Sequence, residues 1–324
     1  MRTEVLESLI GELKAVQADF FSYFGVTDII TNSKIFEILI ADSLNHTLIP
    51  GHSGSRDAKD DLGNEYEYKH YKESSSNHSW TFNDFSDTTI AKLANTKSVI
   101  FAHIQDKNIP FPKFDWYYEV PGQVISLYLA KATKNIRNHR KMINVSSKQI
   151  ENNLLLTKQF SKDNYIGRYY SWIEKIIQIM VKIERIVETN NVLTSNKFWE
   201  ILVSLKLNHK VLSEQSKHDA EDIEGNKYEY KVSKSSTWSF QDISKEVLSK
   251  YLSNKSMVLA IVDKNEISVK KIYEADAKKV VILLKAKLRI KAKRYKEAGK
   301  EIRRLQISLN NKDLKRLKAK LLST

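Results

Sequence analysis

The stretch "DAKDDLGNEYEYK", residues 57–69, returns as "DAEDIEGNKYEYK", residues 219–231, with nine of thirteen positions identical. Asp61-Leu62-Gly63 suits a three-residue hairpin loop, with Gly63 in the left-handed conformation of a G1 bulge and Asp60 and Asn64 closing the turn. Antiparallel pairing outward from that closing pair sets Asp57 directly opposite Glu67. In the second copy Asp222 and Asn226 close the loop, and Asp219 falls opposite Glu229. Strand alternation then puts Lys69 on the face of Glu67 and turns Tyr66 and Tyr68 to the other side.

Directly opposed residues carry Cβ atoms about 4.5–5.5 Å apart. Two carboxylates so placed repel unless a cation lies between them, and a divalent cation with oxygen ligands is the natural occupant. An ammonium beside the pair, Lys69 or Lys231, holds a water or hydroxide and screens a phosphate. Mg²⁺ in such a place polarises the phosphate and acidifies the water. The chemistry so assembled is phosphodiester hydrolysis. A single exposed hairpin with these residue types is ordinary; two that keep Asp, Glu and Lys while their loops drift are not.

The repeat extends along the chain. "SKIFEILIADSLNH" (33–46) matches "NKFWEILVSLKLNH" (196–209), "SWTFNDFS" (79–86) matches "TWSFQDIS" (237–244), and "TKSVIFAHIQDKN" (96–108) matches "NKSMVLAIVDKN" (254–265). "INVSSKQI" (143–150) faintly echoes "LQISLNNKDL" (305–314). Two domains are therefore expected, 1–155 and 156–324, each a mixed β-sheet flanked by helices. Each should run helix, helix, hairpin, short strand around Trp80 or Trp238, helix, and buried strand. Ser86 and Ser244 suit helix N-caps, with Phe85 and Ile90, or Ile243 and Leu248, as hydrophobic staples. Trp80, Trp238, Phe82 and Phe240 read as core, and His46 and His209 as packing or capping residues.

Composition narrows the function classes. There are no cysteines, which removes disulfides, thiolate metal sites and cysteine nucleophiles. The N-terminus carries acids where a secretory signal needs an apolar core, and no apolar run is long enough to span a bilayer, so a cytoplasmic location is expected and no membrane partner. The formal net charge is +14. All of that excess lies in residues 278–324, where 17 Lys and Arg face three acids. Residues 124–150 add six Lys and Arg and no acids. Basic segments at matching places in two repeats suit a polyanion, and double-stranded DNA in particular. The polar loops after the hairpins, with Lys72, Ser75 and Ser76 in one copy and Lys234, Ser235 and Ser236 in the other, are candidate DNA contacts.

With Asp57, Glu67 and Lys69 in place, and Asp219, Glu229 and Lys231 repeating them, the pattern D-x9-E-Y-K resembles the PD-(D/E)XK nuclease superfamily, especially type II restriction endonucleases. The order helix, acidic hairpin, strand, helix, strand is similar too, and each copy covers about half the chain. One departure is that Arg56 and His218, not proline, precede the aspartates. The resemblance implies two restriction-endonuclease-like domains. It implies that Asp57, Glu67 and the carbonyl of Tyr68 ligate Mg²⁺, with Mn²⁺ able to substitute, while Lys69 orients or activates water. Asp219, Glu229, Tyr230 and Lys231 would do the same in the second copy, with Glu37 and Glu200 as additional acids near the metal. The expected function is a site-specific deoxyribonuclease that cuts both strands as a monomeric pseudodimer, accompanied by a protective DNA methyltransferase. Alternatives are another PD-(D/E)XK nuclease, for repair or for particular nucleic-acid structures, and a non-catalytic DNA-binding module.

Overall fold

The computed structural model describes residues 2–30, 34–50, 56–109, 111–136, 141–161, 167–190, 192–193, 195–213, 216–299 and 306–323. Contacts divide the chain into two compact units, 15–179 and 1–14 with 180–324. The divisions fall inside helices α1 (Arg2–Phe24) and α6 (Tyr170–Val187), not at the linear cut after 155.

The N-terminal unit continues with α2 (Lys34–Leu44), β1 (Thr47–Leu48), β2 (Ala58–Lys59), β3 (Glu65–Lys72), β4 (Trp80–Phe85), α3 (Asp87–Leu93), β5 (Ser98–Gln105), β6 (Lys113–Pro121), α4 (Gly122–Thr133), β7 (Lys141–Val145), α5 (Ser147–Leu154) and β8 (Gln159–Phe160). Its main sheet runs β1-β2-β3-β5-β6-β8, and β4 pairs with β7 separately. β3 and β5 are parallel while the other pairs are antiparallel, so the sheet is mixed.

The C-terminal unit repeats this order. It holds α7 (Lys197–Leu207), β9 (Lys210–Val211), β10 (Ala220–Glu221), β11 (Lys227–Ser233), β12 (Thr237–Phe240), α8 (Lys245–Leu252), β13 (Ser256–Asp263), β14 (Ser268–Asp276), α9 (Ala277–Glu297), β15 (Ile307–Asn310), α10 (Asn311–Leu317) and β16 (Lys320–Ser323). Its main sheet runs β9-β10-β11-β13-β14-β16, with β12 paired to β15. The architecture is α/β, with two similar sheet units.

The hairpin register follows the turn chemistry. Ala58 faces Tyr66 and Ala220 faces Tyr228. Gly63 and Gly225 have φ of +81° and +80°, which a Cβ would strain. Asp60 accepts from the backbone of Leu62 and Asn64 and from the Asn64 and Tyr66 side chains; Asp222 does the same with Glu224, Asn226 and Tyr228. The shared Asp, Gly and Asn thus give both loops one geometry although the two residues between Asp and Gly differ.

Each hairpin is backed by an aromatic core. Trp80, Phe82, Phe101 and Tyr118 are fully buried in one unit, and Trp238 and Phe240 occupy the same places in the other. The indole N–H of Trp80 donates to the Ala102 carbonyl at 2.8 Å, and that of Trp238 to Ala260 at 2.9 Å. Ser86 caps α3 and Ser244 caps α8, with the expected staple residues buried behind them. The faint echo near 143–150 and 305–314 is structural: β7–α5 and β15–α10 share a strand, a capping box and a helix.

His46 and His209 act in packing, as expected. Each ring lies 4.3 Å from Tyr66 or Tyr228, centroid to centroid. Each Nδ1 is 2.8 Å from the hydroxyl of Tyr68 or Tyr230. Burial lowers both imidazole pKa values and favours the neutral rings. The tyrosines are thereby fixed on the face away from Glu67 and Glu229.

Candidate functional site

β2 and β3 bring Asp57, Glu67 and Lys69 together at one end of the sheet. The carboxylate of Asp57 turns onto the backbone and accepts from the Tyr68 N–H at 2.7 Å; Asp219 accepts from Tyr230 N–H at the same distance. That bond pins the aspartate between Glu and Lys of the neighbouring strand. Glu67 is 5 % exposed and Glu229 is 2 % exposed. Lys69 donates to Glu67 and, at 3.2 Å, to the Tyr68 carbonyl. Lys231 donates to Glu229 at 2.5 Å. The ammonium of Lys69 sits 5.4 Å from the Phe82 ring, and that of Lys231 5.9 Å from Phe240, so core aromatics form the floor under both lysines.

Glu37 and Glu200 project from the first turns of α2 and α7. They pair with the lysine one turn back, Lys34 at 2.7 Å and Lys197 at 2.6 Å. They also act electrostatically on the hairpin acids. Burial, then Glu37 and Glu67, raise the Asp57 pKa well above the usual carboxylate range, against the pull of Lys69 and the Tyr68 N–H. Burial and then Asp219 push Glu200 up to about 7, against Lys197. Burial alone would lower Lys69 and Lys231; the neighbouring carboxylates outweigh it and raise both. Each site therefore concentrates acids that favour either a proton or a cation.

Such a raised carboxyl has a consequence for stability. Protonated Glu200 is favoured by folding, so its contribution is full below the ordinary 4.5 and is lost as pH rises through about 7. The metal-free protein is therefore expected to lose stability over that range. Glu200→Gln should remove that loss: melting in EDTA should show variant and parent alike at pH 4, and the variant more stable at pH 8. A parent whose margin over the variant is unchanged across that range would exclude the raised carboxyl.

No group of three His, Cys, Asp or Glu side chains is close enough to hold a metal among the described residues. A cation here would rest on the Asp–Glu pair and a carbonyl oxygen. The buried Oε2 of Glu229 accepts no hydrogen bond and meets only the charge of an ammonium, that of Lys250 at 3.0 Å; it is an oxygen of the kind a hard cation binds. Compared with known proteins, the chain matches no protein-family profile and no curated sequence.

The candidate DNA contacts lie at the end of β3, with Lys72 its last residue, and in the turns that follow β3 and β11. Lys72 is 3.8 Å from Asp106, and the Ser75 N–H donates to the Lys72 carbonyl at 3.0 Å; Ser76 is exposed. Lys234 and Ser235 are exposed, and Ser236 is half-buried. The two basic segments differ. α9 carries an exposed row that includes Lys278, Lys285, Arg289, Lys293 and Lys296. In the other unit Lys141 is buried and paired with Asp87, leaving Lys131, Lys134 and Lys148 exposed. Arg137, Arg140, Lys300, Arg303 and Arg304 lie outside the described residues, as does Ser33. No helix among the described residues is long and apolar enough to cross a membrane.

One residue at the site was missed by sequence reading. Lys250, from the last turn of α8, brings its ammonium 3.0 Å from Oε2 of Glu229. The repeat held a signal for it, since Lys92 stands at the same step from Ser86 as Lys250 does from Ser244.

Proposed function

We propose that the chain is a Mg²⁺-dependent endonuclease of the PD-(D/E)XK type that cuts duplex DNA, a type II restriction endonuclease with both catalytic sites in one polypeptide. Each unit is read as one restriction-endonuclease-like domain. The observation that carries the reading is the recurrence, on sheets of the same order, of an aspartate fastened to the N–H between a buried glutamate and its lysine.

Asp57, Glu67 and the Tyr68 carbonyl would hold Mg²⁺ in one unit, and Asp219, Glu229 and the Tyr230 carbonyl in the other. Glu37 and Glu200 would add negative charge behind them, and Mn²⁺ would substitute. Bound there, the ion supplies charge against the scissile phosphate and acidifies a water. The neighbouring acids favour the charged form of Lys69 and Lys231. An ammonium has no lone pair, so in that form these lysines orient the water and screen the phosphate by donating hydrogen bonds. The exposed cations of α9 give a sequence-independent hold on the DNA backbone. As a pseudodimer the monomer suffices for both strands, and in a host it would work in the cytoplasm beside a methyltransferase that protects its site.

The test is supercoiled plasmid with Mg²⁺ against EDTA. Discrete linear fragments in Mg²⁺ and none in EDTA are expected. Retained duplex binding with no cleavage under Mg²⁺ or Mn²⁺ would favour a DNA-binding module whose hairpins only shape the fold. Cleavage confined to branched or damaged DNA would favour a repair or structure-selective nuclease.

A further inference from the structure

The two sites have the same Asp, Glu and Lys but different charge around the glutamate. Glu229 lies between two ammoniums, Lys231 at 2.5 Å from Oε1 and Lys250 at 3.0 Å from Oε2. The second contact is an ion pair without hydrogen-bond geometry. In the N-terminal unit Glu67 pairs with Lys69, while Lys92, at the position matching Lys250, is exposed and makes no ion pair with a described residue.

We infer that Lys250 is a built-in counter-ion of the C-terminal site, displaced when a divalent cation binds, so that the N-terminal site fills first. The inference rests on the metal-dependent reading above. A buried carboxylate without a positive neighbour is costly. In the metal-free chain the Lys250 ammonium stands in for the cation at Oε2. Its side chain is 31 % exposed, against 3 % for Glu229, so it reaches the site from the rim and can swing back into solvent. A cation taking Oε2 must expel that charge, which weakens its binding; at Glu67 it meets no such competitor. Limiting Mg²⁺ should therefore leave plasmid nicked by the N-terminal site before it is made linear.

The experiment is calorimetric titration of the full-length, DNA-free chain with Mn²⁺, so binding is read without catalysis. Two steps are expected, the tighter removed by Glu67→Gln and the weaker by Glu229→Gln. Lys250→Ala should tighten the weaker step about tenfold. Lys250→Arg, which keeps the charge, should leave it weak. Lys250 is partly exposed at the end of a helix, and a melting curve for each variant checks folding. Two steps with the weaker one unmoved or loosened by Lys250→Ala would overturn the counter-ion while leaving the metal sites standing. No uptake of Mn²⁺ by the intact chain would overturn the metal-dependent reading itself, and the counter-ion with it.

Discussion

Lys69→Ala is expected to slow cleavage of one DNA strand by about 10²–10³-fold and to leave the other strand's cleavage intact, so that supercoiled plasmid stops at the nicked circle. The size follows from what is removed: a positioned cationic donor over an aromatic floor, beside Glu67 and the Tyr68 carbonyl. Such a donor acts on charge that develops at the phosphate and costs no reorganisation when the reaction occurs. In Mg²⁺ the cation can meet the charge of Glu67 that the lysine leaves, and a melting curve in Mg²⁺ checks that the variant is folded. Lys69→Arg should restore little, since a planar guanidinium cannot take the place of a compact ammonium. Lys231→Ala should give the same nicked product from the other strand. Linear product at the parental rate from either variant would make that unit a recognition domain.

Trp80→Ala should destabilise the protein by about 3–5 kcal/mol, the range for deleting a large buried aromatic. Trp80 is fully buried, and its ring meets Phe101, Trp116 and Tyr118 at centroid distances of 5.3–6.1 Å. Its N–H also satisfies the Ala102 carbonyl in the middle of β5, the strand parallel to β3. Trp80→Phe separates the two contributions: most of the volume stays, and the lost indole–carbonyl hydrogen bond alone should cost about 1 kcal/mol, since Ala102 stays paired in the sheet. Urea denaturation read by intrinsic fluorescence would check both values. Because Trp80 backs the strand that carries Glu67 and Lys69, Trp80→Ala should also loosen that site. Trp238→Ala should behave alike in the C-terminal unit, where the same indole–carbonyl bond reaches Ala260.

The hairpins were legible in the sequence because a G1 turn dictates pairing with no tertiary information. Gly63 and Gly225, with the Asp and Asn that close each turn, set the register of β2 on β3 and of β10 on β11. The N-caps, staples and buried tryptophans were legible for a similar reason, being local patterns that recur twice. Edge strands β8 and β16 were not, since Gln159–Phe160 and Lys320–Ser323 are too short and too exposed to show a period. The division of α1 and α6 between units was also hidden, because a continuous helix gives no sign of where its contacts change. At the site, the three repeated residues were readable from strand alternation, whereas Lys250 depends on the angle at which α8 meets β11. The expectation of matching basic segments in both repeats rested on charge counts, and these cannot tell that Lys141 is buried against Asp87 while α9 holds its cations in solvent.

The central claim is one catalytic site per strand. The most direct measurement takes a plasmid fragment that the intact chain cuts and labels its two strands with different dyes. The fragment is then digested in Mg²⁺ by the intact chain, by Lys69→Ala and by Lys231→Ala. Two strand-specific sites predict that the intact chain shortens both labels, and that each variant spares a different one. Both variants sparing the same strand, or either cutting both strands at the parental rate, would contradict it.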